Sequence, residues 1–366
     1  MNTKVTRLLR AVLVFASCIA TTMGNAQTSG ARGPSDFFGL LRVRDLTPFG
    51  FMRLDMRPSP TTFAKSDGAT VETDFGYQNT WALSDDVGQY LHSRPRGPLT
   101  DADVAAIRAM PGEHYLIDGE IGLFDVAINY PVTDRLGVYG MLSVGTYSGG
   151  FLDGVVEDFH RTFGLGGAGR SAVTRNQINI LLDLKGAQST DLNWSARSGL
   201  LDPVAGARYA LVDRPDFNLV ADGAVKVPVS QDRTFATGRA DVGVQLTAQR
   251  FAGNHAYYAS GSIVQYSGNP PPFTDSSMIV PTGTIGYEYR WLRAGTNLIA
   301  QLVVSRSTFT SKETDLSELR CDKYQMSIGM RRRFANGYWT LAVTENLRNF
   351  DNTPDIGFQL GAAYRL

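Results

Sequence analysis

The chain has 366 residues, with 35 Lys plus Arg against 35 Asp plus Glu, so it carries no formal net charge. That balance supplies no basic surface for a phosphate backbone, which excludes nucleic acid as an expected partner. After the first 30 residues no apolar run reaches the ~18 residues that a membrane-crossing helix needs. The composition, with 38 Gly, 19 Phe and 15 Tyr but only 43% hydrophobic residues, suits many alternating strands joined by turns. No solenoid-type repeat is present.

Residues 1–26 have the layout of a cleaved secretory signal peptide. Lys4, Arg7 and Arg10 form a basic start, residues 11–20 an apolar core, and Gly24-Asn25-Ala26 a small-residue cleavage site. Ala16-Ser17-Cys18 offers lipidation at Cys18 as the competing fate. Cleavage after Ala26 leaves a net charge of −3 and one cysteine, Cys321, so no internal disulfide is expected. Residues 27–57 alternate irregularly: Phe37, Phe38, Leu40, Leu41 and Val43 are interrupted by Arg42, Arg44 and Asp45, and Met52, Leu54 and Met56 by Arg53, Asp55 and Arg57. This stretch reads as a first strand or as a plug inside a barrel that begins at residue 58.

Strand periodicity then recurs over residues 71–83, 115–130, 136–147, 204–212, 219–229, 240–250, 256–266, 279–290, 296–305, 323–334, 338–345 and 356–366. In residues 115–130 the apolar positions change parity near Leu123, which predicts a bulge there. Short turns at 133–135, 213–216, 251–254, 291–293 and 335–337 alternate with longer connections, the short turns falling on one rim. An outer-membrane barrel has this asymmetry, with tight periplasmic turns and long outer loops. Counting backward from the C-terminus gives an all-β, antiparallel transmembrane barrel of about 12 strands, within a range of about 10–14. The same count places residues 84–113 outside, with a helix starting at Thr100-Asp101-Ala102-Asp103. It also makes residues 148–201 one extracellular excursion, holding a hairpin of residues 177–184 and 192–196.

Charges of both signs gather on one face of these strands: Glu72, Asp74, Asp118, Glu120, Glu288, Arg290, Arg331 and Arg333, with Lys226, Asp241, Asp355 and Arg365. A lipid-facing Arg or Lys at mid-depth costs about 2–4 kcal/mol, so these residues are expected to face the lumen. There they either fill a narrow barrel as a structural network or line a polar path.

The segment S-G-G-F-L-D-G-V-V-E-D-F-H-R-T-F-G-L, starting at Ser148, spaces Phe151, Val155, Phe159 and Phe163 four apart, so a helix over 152–163 is expected, ended by Gly164. Its apolar stripe should pack on the barrel mouth or the hairpin. Its polar side offers Asp153, Glu157, Asp158 and His160. Asp153, Glu157 and His160 have a spacing that can hold a divalent cation, against the simpler reading of a solvated face, and no metal is expected. No cofactor motif is present, and His92, His114, His160 and His255 form no recognisable Ser/His pair. A lipid-modifying enzyme is therefore the least favoured class.

The motif G-G-F-L-D-G-x-x-E-D-F-H-x-x-F-G-L, with the upstream L-R-V-R-D, resembles an uncharacterised family of Gram-negative outer-membrane barrels known only as a domain of unknown function. The likeness covers most of the mature chain and implies fold and location, but no activity. Lys226-Val227-Pro228, Phe235-Ala236-Thr237-Gly238 and Asp241 resemble, more weakly, barrels linked to hydrocarbon and fatty-acid uptake. At the C-terminus Gln359, Gly361, Tyr364 and Leu366 resemble the signal read by the barrel-assembly machinery, with Leu366 departing from the usual aromatic terminus. The expectation is an outer-membrane barrel that meets periplasmic chaperones, the assembly machinery and lipid, and passes a small amphipathic or hydrophobic solute. The alternative is a barrel that only contacts a surface partner.

Overall fold

The structure is a computed structural model that describes residues 34–62, 68–164, 169–268, 273, 277–291, 295–348 and 350–366. The leader expected over residues 1–26 lies outside them. Fifteen strands form one antiparallel sheet. They are β1 (Thr70–Leu83), β2 (His114–Pro131), β3 (Leu136–Ser148), β4 (Asn179–Leu184), β5 (Ala187–Asp191), β6 (Arg197–Leu200), β7 (Val204–Arg214), β8 (Phe217–Lys226), β9 (Asp241–Ala252) and β10 (His255–Tyr266). β11 (Met278–Trp291), β12 (Thr296–Ser305), β13 (Lys323–Phe334), β14 (Gly337–Arg348) and β15 (Ile356–Arg365) complete it. β1 pairs with both β2 and β15, which closes the sheet. The closed wall is the twelve-stranded ring β1-β2-β3-β7-β8-β9-β10-β11-β12-β13-β14-β15.

Closure removes every wall edge, which is what lets a sheet cross a bilayer with its backbone satisfied. The outer face carries an apolar belt that includes Phe75, Phe124, Leu142, Val244, Ile285, Leu341 and Leu360, all exposed. Toward the short-turn rim the belt ends in Tyr130, Tyr209, Tyr257, Trp291, Phe334 and Tyr364, an aromatic girdle of the kind found at a membrane interface. The turn between β9 and β10 uses Gly253 at φ 60°, a left-handed conformation that glycine takes without strain.

The long-loop end is built differently. The hairpin β4–β5 adds to β2 at His114–Asp118, above the point where β3 leaves that edge, and β6 adds to the upper part of β3. Residues 192–196 are not a strand; β5 takes the return leg that residues 192–196 were expected to supply. Helices α1 (Asp85–His92) and α2 (Asp101–Arg108) cover the outer face of β1 and β2, where Trp81, Leu83 and Leu116 pack on Val87, Leu91 and Ile107. Thr100 and Asp103 close a capping box at the start of α2. Helix α3 spans Leu152–Phe163, and a single turn, α4, spans Ser317–Arg320.

No bulge exists at Leu123. β2 pairs without a slip to β1 and to β3. The apolar parity changes because the surroundings change: above Leu123 the odd residues Ile117 and Ile121 pack inside the barrel, whereas below it the even residues Phe124 and Ile128 face lipid.

Candidate functional site: a filled lumen

Residues 34–62 run inside the barrel, and none of them forms a strand. The interior segment therefore continues past the boundary expected at residue 57. It rises from the short-turn rim, turns over Thr47–Arg53, and descends beside its own first leg, where the Thr61 hydroxyl donates to the Phe37 carbonyl (2.9 Å). A backbone that pairs with no strand must find other partners for its N–H and C=O groups. Wall side chains supply them.

On the rising leg, Glu288 accepts from the N–H groups of Phe38 (3.0 Å) and Gly39 (3.0 Å) and from the Tyr258 hydroxyl (2.6 Å). Arg331 donates to the carbonyls of Phe38 (2.9 Å), Gly39 (3.1 Å) and Leu40 (3.1 Å). Gln301 accepts from the Leu41 N–H (2.8 Å) and donates to its carbonyl (3.1 Å), taking the place of a neighbouring strand. On the descending leg, Asp241 accepts from the Leu54 N–H (3.1 Å) and Lys226 donates to the Met52 carbonyl (3.1 Å). Gln245, Gln249 and Asn218 donate to the carbonyls of Arg57, Pro60 and Thr61. The fit is close. A Cβ on Gly286 would lie 2.3 Å from Leu40, and one on Gly243 would lie 2.6 Å from the Met56 sulfur.

Ion pairs anchor the same segment. Asp125 on β2 takes Arg42 (2.9 Å) and Arg44 (3.2 Å), all three buried. Lys323 holds Asp45 (2.5 Å), Glu72 holds Arg57, and Arg290 holds Asp36 (2.6 Å). A buried pair is weak evidence for net stability, but removing one partner is costly, about 3–5 kcal/mol, because it strands the other charge.

The filling differs with depth. Toward the long loops, Phe49 and Phe51 from the interior segment meet Tyr147, Phe235, Phe273 and Phe309 in an aromatic layer, and Tyr147 donates to the Pro48 carbonyl (2.6 Å). Toward the short-turn rim a chamber of about 380 Å³ remains, whose lining includes Arg42, Arg57, Glu72, Asp74, Arg208 and Arg331.

The expected site residues thus divide. Glu72, Asp74, Glu288, Arg290, Arg331 and Arg333 sit on inward parity; Asp74 accepts from Gln359 (2.9 Å), and Arg333 donates to the Ser35 carbonyl (2.8 Å). Asp118 and Glu120 do not face the lumen. They share parity with lipid-facing Phe124 and turn outward at the long-loop end, beneath the hairpin β4–β5 and the start of α3. There Asn179 donates to Asp118 (3.0 Å), and Glu120 accepts from the N–H of Phe151, just before α3 (3.2 Å), and from that of Leu152, its first residue (2.7 Å). A carboxylate suits that position because the helix start is the positive end of the helix dipole.

On α3 the packed residues are Leu152 and Val156, not the expected stripe, since Phe151 and Val155 are exposed. Asp153 is buried on Arg170 (2.7 Å), Glu157 pairs with Arg96 and Arg175, and Asp158 pairs with Arg161 in solvent. The two arginines beside Glu157 hold its carboxyl below the usual range despite some burial. Both carboxylates of the suggested cation trio are therefore held by arginines, and among the described residues no acidic, His or Cys group is arranged to bind a metal. The side chains of Phe159, His160 and Phe163 lie outside the description. His114 lies 2.6 Å from Asp86, which also accepts from Ser84 (2.7 Å). The carboxylate stands between serine and imidazole and also accepts from the Val87 N–H (2.8 Å) in the first turn of α1, so the serine is not activated.

Gln359 and Gly361 face inward, whereas Tyr364 and Leu366 are exposed at the short-turn rim. The residues that sequence reasoning missed are the interior anchors Arg42, Arg44, Arg53 and Arg57. The alternation of Arg42 and Arg44 was the available signal, and Asp125, three residues beyond Gly122 in β2, was the partner to look for.

A family model described as "Protein of unknown function (DUF3187)" matches residues 15–366. No curated protein matches the chain. Among solved structures, the chain is similar to the COG4313 outer membrane channel from Pseudomonas putida F1, at 14% identity and a TM-score of 0.49, over 81% of this chain and 95% of that one. It is also similar to the NanC porin (6%, TM-score 0.43, 81% and 100% covered) and to the P. putida toluene transporter TodX (9%, TM-score 0.38, 82% and 90% covered).

Proposed function

The chain belongs to the family described as proteins of unknown function, and from its lumen we propose an outer-membrane channel that is closed at rest and passes a small amphipathic or hydrophobic solute. The supporting observation is the two-zone filling: an aromatic layer toward the long loops over a polar chamber of about 380 Å³ toward the short turns. That volume falls at the lower end of the ~300–1,000 Å³ typical of small-ligand sites. An apolar group meets rings first, and a polar head then meets Arg57, Arg208 and Arg331. Passage requires residues 34–62 to shift. Their attachment through side chains, rather than through a strand ladder, makes stepwise release the natural route. Delivery by a cleaved leader and insertion by the barrel-assembly machinery belong to the same proposal.

The test is conductance in planar bilayers. The full chain should be quiet, and a chain lacking residues 34–62 should conduct at least tenfold more. Should that deletion fail to fold, Arg331→Ala combined with Glu288→Gln releases the rising leg while keeping its bulk. Rising conductance in either variant, together with loss of solute uptake in a strain lacking the protein, supports the channel. A closed barrel in both variants with uptake unchanged would mean a barrel that only contacts a surface partner.

A further inference from the structure

Helix α3 begins beside the membrane belt, not over the mouth. The Phe151 ring stacks on Tyr77 (5.4 Å between centroids, planes 13° apart), and Tyr77 in turn stacks on Phe75 (6.0 Å). Phe75 pairs across the sheet with Phe124 and Leu360, three exposed apolar residues of the lipid-facing belt. Tyr77 is level with Phe358, another member of the belt. Phe151 is 65% exposed and Val155, one helical turn on, is 52% exposed. The opposite face is fastened down by Leu152, Val156 and buried Asp153. The helix therefore cannot roll to hide these two residues. Its later turn carries Asp158 and Arg161, an exposed ion pair.

We infer that the start of α3 is a membrane foot: Phe151 and Val155 enter the acyl layer of the outer leaflet beside β1, while Asp158 and Arg161 remain in water. The occupant of the exposed face is lipid because the face is continuous, ring on ring, with a surface that lipid already covers. Burying apolar surface is worth about 25 cal/mol per Å², and Asp158 and Arg161, which follow Phe151 and Val155 on the same exposed side of the helix, confine the buried part to its start. Glu120, which accepts from the N–H groups of Phe151 and Leu152 at the entry to α3, is a positioning residue that fixes the depth of the foot. The inference stands whether or not the barrel conducts.

The test uses the full chain with Cys18→Ser and Cys321→Ser, reconstituted in palmitoyl-oleoyl-phosphatidylcholine vesicles and spin-labelled at single cysteines. Labels at Val155→Cys should favour oxygen over a water-soluble nickel relaxant, as a label at Leu360→Cys does. A label at Arg161→Cys should show the reverse. If the Val155 variant does not insert, Phe151→Cys reads the same depth. Nickel access at 155 or 151 equal to that at 161 would overturn the foot. Dipolar broadening at 155 between copies would overturn it as well, since a second chain would then cover the face.

Discussion

Strand β2 lives in two environments, and the contrast between them explains much of the molecule. Below Leu123 one side faces lipid and the other the packed lumen, so Phe124, Val126 and Ile128 alternate strictly with Asp125, Ala127 and Asn129. Above Leu123 every residue is buried, inward on the aromatic layer and outward under the helices and the hairpin β4–β5. In lipid a polar side chain has no partner outside the wall, so the pattern must be binary. Once protein covers the outer face, Asp118 and Glu120 can point outward, because Asn179 and the N–H groups at the entry to α3 satisfy them.

The contrast can be broken from each side. The largest effect is expected in the lower half, from Asp125→Ala. Two arginines would be left buried, costing about 3–5 kcal/mol. Unfolding by guanidinium in vesicles should show the loss, and Asp125→Glu should recover part of it. A stability equal to the parent would mean that the interior segment is held chiefly by Glu288, Arg331 and Gln301.

Next comes the outer face of the wall. Leu360→Arg places a charge in lipid and should cost about 2–4 kcal/mol. Leu116→Ala, on the outer face of the upper wall, should cost a similar amount, about 2–4 kcal/mol, but locally. Protease should then cut within residues 84–113 while the heat-modifiable barrel persists. Global unfolding with no local cleavage would show that the two halves are one cooperative unit.

At the C-terminal rim, Tyr364→Ser with Leu366→Ser should reduce the membrane-inserted, heat-modifiable fraction several-fold, and more than any change on α3. Normal insertion would refute the assembly-signal reading.

The smallest effect concerns pH in the loop before β15. Burial pushes the Asp355 carboxyl from its ordinary 3.8 up to about 6, against the pull of Arg170, and burial likewise lifts Asp351 to about 6. A carboxyl raised in the folded state favours folding while protonated. Its contribution is full below about 4 and is lost as pH rises through about 6. Protection of the α3 region from protease should thus weaken between pH 4 and 7, and Asp355→Asn should flatten that slope. An unchanged slope would assign it to Asp351.

Much of the barrel was legible because lipid enforces a period of two. All twelve wall strands could be located, and the even positions from Ile356 to Tyr364 point outward as their spacing requires. The α3 span was legible for a similar reason, since Gly164 ends it at φ 64°. The site was less legible. Irregular alternation in residues 37–57 left a first strand and an interior plug both open, because a chain held by side chains need follow no period. Helix α1 and the true return strand β5 went unseen, since short elements under other elements are shaped by those neighbours.

Alone, the sequence determined the closed transmembrane wall, its rims and its outward face, because these depend on local alternation against a uniform solvent, lipid. Only the tertiary structure decided that the lumen is filled by residues 34–62, that Asp118 and Glu120 turn outward, and that α3 exposes Phe151 beside the lipid belt. Those outcomes depend on which distant groups meet. The contacts between Leu41 and Gln301, or Asp125 and Arg42, leave no periodic trace in the chain.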